Sequence, residues 1–366
     1  MRRHRQGCLA AAVVLVAAQA PGPGHAESDF LASNLALAES HVIPRYAALA
    51  EATGQLDEAA TAFCTTPSAA GLDATRAGYQ AAMDAWMGVA HIHFGPVEFL
   101  MRGFRIAFWP DKHNTGSKQL AKLLAAEDDA ALAPAAFARG SVAVQGLPAL
   151  EKLLYGGPDS LGPQGEPAYR CKLAVAITDN LAGIAEDLLR EWRDGEDSTL
   201  SAIRTAAGGE GLFENDEAVA ALFFKSLNQG LVLIAEVKLA RPLGSSLKKA
   251  KPRRSESWRS ARSMQNVVLN LQALEALYGA EGALASLLTE DPAHQALDAE
   301  IRQGFTKTIG LAKSLGLPLS AAVKDEAARL IVEDLKRRVE AQRERIAGPL
   351  AQALGLAVGF NTLDGD

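Results

Sequence analysis

Apolar residues recur at a helical period along most of this chain. Leu72, Tyr79, Trp86 and His93 fall seven apart, with Met83 and Ala90 between them. That spacing predicts one long helix with a single packed seam, opened by Thr66-Pro67-Ser68 and closed by Gly95-Pro96. Leu173, Ile177, Leu181, Ile184 and Leu188 predict another over residues 169–192. Ser28 and Asp29 are placed to cap an earlier helix that begins near Phe30 and runs towards Ala52, bent at Pro44. Helical patterns also start at Lys118 and cover residues 134–155, 217–239, 258–278, 298–315 and 321–354. Residues 108–117, 156–167 and 241–256 read as connections rich in polar residues, Gly or Pro. No stretch alternates with period two, so the expected fold class is all-α without a substantial sheet.

One helical pattern is flawed. In residues 144–156, VQGLPALEKLLYG, the stripe Val144, Leu147, Leu150, Leu154 contains a breaker, Pro148, and a carboxylate, Glu151. A carboxylate on an apolar stripe needs a cation, hydrogen-bond donors or a metal beside it. Leu271-Gln272-Ala273-Leu274-Glu275 with Tyr278-Gly279 resembles Leu147-Pro148-Ala149-Leu150-Glu151 with Tyr155-Gly156. The second copy puts Glu275 on the face of Val268, Leu271 and Tyr278. The similarity predicts two packed helical bundles related by an internal duplication, each offering one carboxylate. The charged break at residues 194–197 divides them into residues 27–195 and 196–366.

Composition agrees with helices: 48% of the 366 residues are hydrophobic, only 6% are aromatic, and Ala and Leu dominate. The net charge of −6 and the lack of a long basic stripe exclude nucleic acid as an expected partner. The basic cluster at residues 248–254 is broken by Pro252 and reads as a solvated loop. Arg2, Arg3 and Arg5 precede an apolar run over residues 9–20, too short to span a bilayer. With the small residues that follow, this predicts an export signal over residues 1–26, cut after Ala26. No other segment reads as a transmembrane span. Cys8 is lost with the signal, which leaves Cys64 and Cys171 in an oxidising compartment. A disulfide between them is expected; the alternative is two separate buried thiols.

The remaining candidates for chemistry keep two readings each. Glu151 is either a ligand in a cleft or half of a structural ion pair. Glu275 carries the same two readings, the structural one preferred, with Arg259 and Arg262 as its neutralising partners; with Gly146 these residues are also candidates for lining the cleft. His91 and His93 lie on opposite helical faces, with His93 on the seam, where Glu98 can turn back towards it past Gly95-Pro96. His93 is then either a metal ligand or a core histidine. Trp109 and Asp111, followed by Lys112, His113 and Asn114, either line a cleft mouth or make a turn and a cap. No nucleophile-elbow, His-Glu-x-x-His or phosphate-loop pattern is present.

These residues resemble the imelysin family. The landmarks are Phe94-Gly95-Pro96 after Trp86, Phe108-Trp109-Pro110-Asp111 before Asn114, and Gln145-Gly146 leading to Glu151. Tyr169-Arg170-Cys171, Glu256-Ser257-Trp258-Arg259-Ser260 before Ser263, and the closing residues 359–366 complete the ordered set. The resemblance implies two helical bundles with a cleft between them, export to the periplasm of a bacterium, and a link to iron. It also implies a hallmark Gly-x-His-x-x-Glu, whose His and Glu share a helical face and reach one metal. Here Gly146 and Glu151 match, and the His position is Pro148. The expectation is therefore a protein binding iron, another divalent metal or a small ligand, through His93, Glu98 and Glu151. It is not expected to be an active peptidase. An imelysin-type metallopeptidase is the first alternative, and a non-catalytic interaction module the second.

Overall fold

The computed structural model describes residues 26–157, 160–166, 168–209 and 211–356. The expected export signal before Ala26, the closing residues 359–366 and the side chains of Ser28 and Asp29 lie outside that description.

Every regular element among the described residues is helical. Helix α1 (Ala26–Ala36) passes through a π-helical turn (Leu37–Val42) into α2 (Ile43–Thr65). The first helix thus starts before Phe30 and continues beyond Ala52. Pro44 lies in the first turn of α2, directly after the π turn, where its missing N–H disturbs the hydrogen-bond ladder least. Ser68 caps α3 (Ala69–Val89), its Oγ accepting from Gly71 N–H at 3.0 Å. Four short helices follow: α4 (Arg102–Ile106), α5 (Thr115–Ala126), α6 (Pro134–Ala138) and α7 (Leu147–Tyr155). Next come α8 (Ala168–Arg193), α9 (Thr199–Arg204) and α10 (Asp216–Val232), the last running through a π turn (Leu233–Leu239) into α11 (Ala240–Leu243). The chain continues with α12 (Ser263–Gly279), α13 (Pro292–Ser314), α14 (Leu319–Ala322) and α15 (Glu326–Arg345). A third π turn (Ile346–Leu350) leads to α16 (Ala351–Leu354).

Helix α2 lies along both α3 and α8. Tyr46, Leu49, Leu56, Tyr79, Leu181 and Trp192 fill the space between them. Each such side chain contributes on the order of 1.5–3 kcal/mol by leaving water. The Cys64–Cys171 disulfide joins the end of α2 to the start of α8, with Cα atoms 5.5 Å apart across a sequence separation of 107. The other large group is α10, α12, α13 and α15, packed around Phe223, Leu227, Leu274, Tyr278 and Phe305. Among the contacts that join the groups, α1 leaves the first to pack on α10, and α3 packs on α12.

Several boundaries differ from those read in the sequence. Helix α3 ends at Val89, well before Gly95-Pro96. Beyond it the chain buries His91, Ile92 and Phe94 and leaves His93 exposed, the reverse of the helical assignment. Residues 134–155 are not one helix: α6, a short 3-10 turn and α7 share the stretch. Helix α12 starts at Ser263, not near Trp258, because Ser257 (φ 48°) and Ala261 (φ 59°) adopt left-handed backbone that no helix continues. The helical run Asp216–Leu243 is, contrary to the sequence reading, long and apolar enough to cross a membrane. Most of it is buried against other helices.

Candidate functional site

Helix α7 presents Glu151, and its start is tightly specified. A Cβ on Gly146 would lie 2.2 Å from the carbonyl oxygens of both Arg105 and Ile106, so only glycine permits this approach. Arg105 Nε donates to Gln145 Oε1 at 2.7 Å, and the buried Gln145 amide donates to Phe137 O at 2.8 Å. Pro148 falls in the first turn of α7, where no helical hydrogen bond is lost, and the kink expected of it does not arise.

Glu151 is 5% exposed. Its Oε1 accepts the Ser260 backbone N–H at 2.9 Å and the Ser260 hydroxyl at 2.8 Å. Burial pushes the carboxyl above its ordinary range, while the Ser260 donors and the Arg259 guanidinium pull it back. The Tyr79 hydroxyl is buried with no hydrogen-bond partner, and the charge of Glu151 adds to the upward push that burial gives its ionisation.

Ser260 belongs to a strained loop. Ser257 and Ala261 are non-glycine residues at positive φ, each costing on the order of 1–3 kcal/mol unless the surroundings hold it. Here they are held. Ser263 Oγ donates to Glu256 O, and Asn266 Nδ2 donates to Glu256 Oε2 at 2.7 Å. Buried Lys238, on the second π turn, reaches the same Oε2 at 2.5 Å. Arg262 is 5% exposed and binds Asn266 Oδ1 at 2.7 Å and Gln80 O at 3.0 Å, and pairs with Asp84. The loop on α12 is thereby bolted to α3, which aims Ser260 at Glu151.

The sequence candidates separate around this centre. Arg259 stacks on Trp258, 4.4 Å from the ring centroid, and its charge acts on Glu151. The arginines therefore serve Glu151 and Asp84, not Glu275 as expected from sequence. Glu275 is half-buried and makes no hydrogen bond or ion pair among the described residues. Trp109 lies under Lys238, whose Nζ is 5.7 Å from its ring centroid. Asp111 caps α5, accepting from Thr115 N–H at 2.7 Å and Gly116 N–H at 2.8 Å. His93 and Glu98 are both exposed. Among the described residues, no three side chains of His, Cys, Asp or Glu come together as a metal-binding group, so His93, Glu98 and Glu151 do not converge.

The sequence reading missed a different pair. His41 and His91 are 1% and 4% exposed, and their Nε2 atoms are 2.8 Å apart. Neither Nδ1 has a partner. The readable signal was His41 within the apolar period of Leu37, Ala38 and Val42.

Comparison with known proteins places this architecture. The family described as Imelysin, a peptidase family by designation (M75), matches residues 42–346.

The chain belongs to the imelysin family.

Iron-regulated protein A of Synechococcus elongatus is 24% identical over 232 residues, covering 62% of this chain. The match takes in 58% of that relative's length, so the chain spans little more than half of it. An imelysin-like protein from Psychrobacter arcticum 273-4 superimposes with a TM-score of 0.77 at 23% identity, covering 94% of this chain and 100% of the other. A putative iron-regulated protein A precursor from Parabacteroides distasonis ATCC 8503 gives a TM-score of 0.70 at 16% identity, covering 87% and 94%. These likenesses establish the imelysin fold for this chain.

Proposed function

We propose that this imelysin-family protein is an exported binding protein of iron-linked cell-envelope physiology. It takes a metal or small ligand against Glu151 and does not cleave peptides. The supporting observation is the state of Glu151. The carboxylate is buried on an apolar helix face, and its Oε1 is fixed by Ser260. An orphaned Tyr79 hydroxyl is buried nearby. A buried hydroxyl without a partner is unfavourable, and a bound ligand relieves it. The iron link rests on the names of two relatives, and export on the Arg-rich, apolar N-terminus. Two related bundles, dividing near residue 195, remain the domain reading that accompanies this proposal.

The peptidase reading is weaker on donor chemistry. A catalytic zinc takes three protein ligands and an open position. Pro148 supplies no ligand, and His93 and Glu98 lie exposed. Titration of the whole protein with iron(II), zinc and haem, read by calorimetry and thermal shift, tests the proposal against a Glu151→Gln variant. Binding lost in that variant is the expected result. Chelator-sensitive cleavage of a peptide library, abolished by the same substitution, would sink it in favour of the peptidase.

A further inference from the structure

A basic loop leads from the surface to this site. Lys248, Lys249, Lys251, Arg253 and Arg254 fall within seven residues of a chain whose net charge is −6. All five are exposed. Two 3-10 turns, Leu247–Lys249 and Pro252–Arg254, shape the loop. Its base is fixed: Lys251 N–H donates to Pro242 O at 2.8 Å, and Arg329 of α15 donates to Leu243 O at 2.8 Å. Gly244, at φ +59°, lets the chain fold back so closely that a Cβ there would lie 2.3 Å from Lys249 O.

The five cations form no ion pair and donate no side-chain hydrogen bond among the described residues. Elsewhere, Arg102, Arg190, Arg337 and Arg338 are all paired with carboxylates. At the inner end of the loop, Arg253 lies 5.6 Å from the centroid of the Trp258 ring that Arg259 also stacks on. Arg259, half-buried, stands beside Glu151, and half-buried Lys152 feels the charge of Arg259 against those of Asp111 and Glu151. Unpaired like charges crowded on one loop repel one another until an anion joins them.

We infer that the Glu151 site takes its ligand as a polycarboxylate anion, free or carrying a chelated metal ion, steered in by the basic loop and held by Arg259 beside Glu151. This rests on the reading that the ligand binds at Glu151. Guanidinium forks match carboxylates in geometry and pair with them bidentately. The Ser260 donors and the Arg259 guanidinium beside Glu151 offset its charge towards such a ligand. The depth of Arg259 and Lys152 favours a small anion over a flat lipid headgroup plane.

Citrate, alone and as its iron(III) complex, is the probe, titrated by tryptophan fluorescence and calorimetry against the whole protein. Saturable binding that weakens as sodium chloride is raised is expected. A variant with all five loop cations changed to Gln should bind about tenfold more weakly, about 1.4 kcal/mol, with a smaller salt dependence. Arg259→Gln should also weaken binding, and provides a second readout should the loop variant misfold. Citrate binding unchanged in both variants overturns the inference. So does binding of bare iron(II) at Glu151 without any binding of citrate, which leaves the proposed function standing. Failure of both probes removes the two together. Loss of adhesion to phosphatidylglycerol vesicles in the loop variant, with citrate binding intact, would reassign the loop to a membrane surface and overturn the inference.

Discussion

Glu151 and the two buried histidines are opposite electrostatic cases. Burial raises the Glu151 carboxyl, so the fold holds a proton there that the unfolded chain releases near 4.5. The contribution of this residue to stability is therefore complete below that pH and falls as pH rises through the raised value. Glu151→Gln keeps an acceptor for both Ser260 donors and removes the buried charge. Its melting temperature at neutral pH should equal or exceed that of the wild type, while ligand binding is lost. A marked fall in melting temperature with binding intact would make Glu151 a structural partner of Arg259. His41 and His91 are held well below 6.5, first by burial, then for His41 by His91 and Arg45, and for His91 by Arg45 and His93. The unfolded chain gains protons near 6.5 that the fold refuses, so stability is complete above that pH and declines as pH falls below it. Melting curves taken from pH about 7.5 to about 5 should show this decline. A His41→Leu/His91→Leu variant, which removes both partners together, should flatten it. A slope unchanged in that variant would move the effect elsewhere.

At the scale of elements, the hallmark helix was legible as a helix but not in its start. The apolar stripe of α7 showed which face packs, and the carboxylate on it marked the candidate site. The sequence could not show that Gly146 lies against the Arg105 and Ile106 carbonyls, because that contact joins segments about 40 residues apart. Pro148 looked like a fault only while the helix was drawn through it from residue 134; in the first turn it is well placed. The same limit explains His93. A seven-residue spacing was extrapolated past Val89 into a stretch whose burial follows local turns and not a helical face. Partners of Glu151 were illegible for a similar reason: Ser260 is 109 residues away and is aimed by two left-handed residues. Two substitutions follow. Gly146→Ala drives a methyl into fixed backbone and should destabilise the protein by at least about 3 kcal/mol, measured by urea unfolding. Pro148→His restores a side chain one turn before Glu151 on the same face. Zinc or iron(II) affinity should increase in that variant; affinity identical to the wild type would show that the position does not face the ligand.

At the scale of the molecule, two covalent and polar ties decide how the helices hold together. The composition and the helical periods made the all-α class plain, and Cys64 and Cys171 were foreseeable as a pair once an export signal was read. The polar tie across α3 and α12, in which Arg262 meets Asp84 and Gln80, left no mark in sequence, since each residue alone is ordinary for a helix surface. The disulfide acts on the whole chain by closing a loop of 107 residues that otherwise enlarges the unfolded ensemble. In the chain-entropy account that is worth about 4–5 kcal/mol. The bond joins α2 to α8, far in sequence from the α12 loop that holds Ser260. A Cys64→Ser/Cys171→Ser variant should thus lose roughly that stability in denaturant titrations, with a lower midpoint and a larger denaturant slope from a more expanded unfolded state. Its ligand affinity at low temperature should match the wild type, since α3, α7 and α12 keep their contacts. Affinity that falls in step with stability would instead mean that the α2–α8 join sets the geometry at Glu151, and that the two groups of helices move as one body around it.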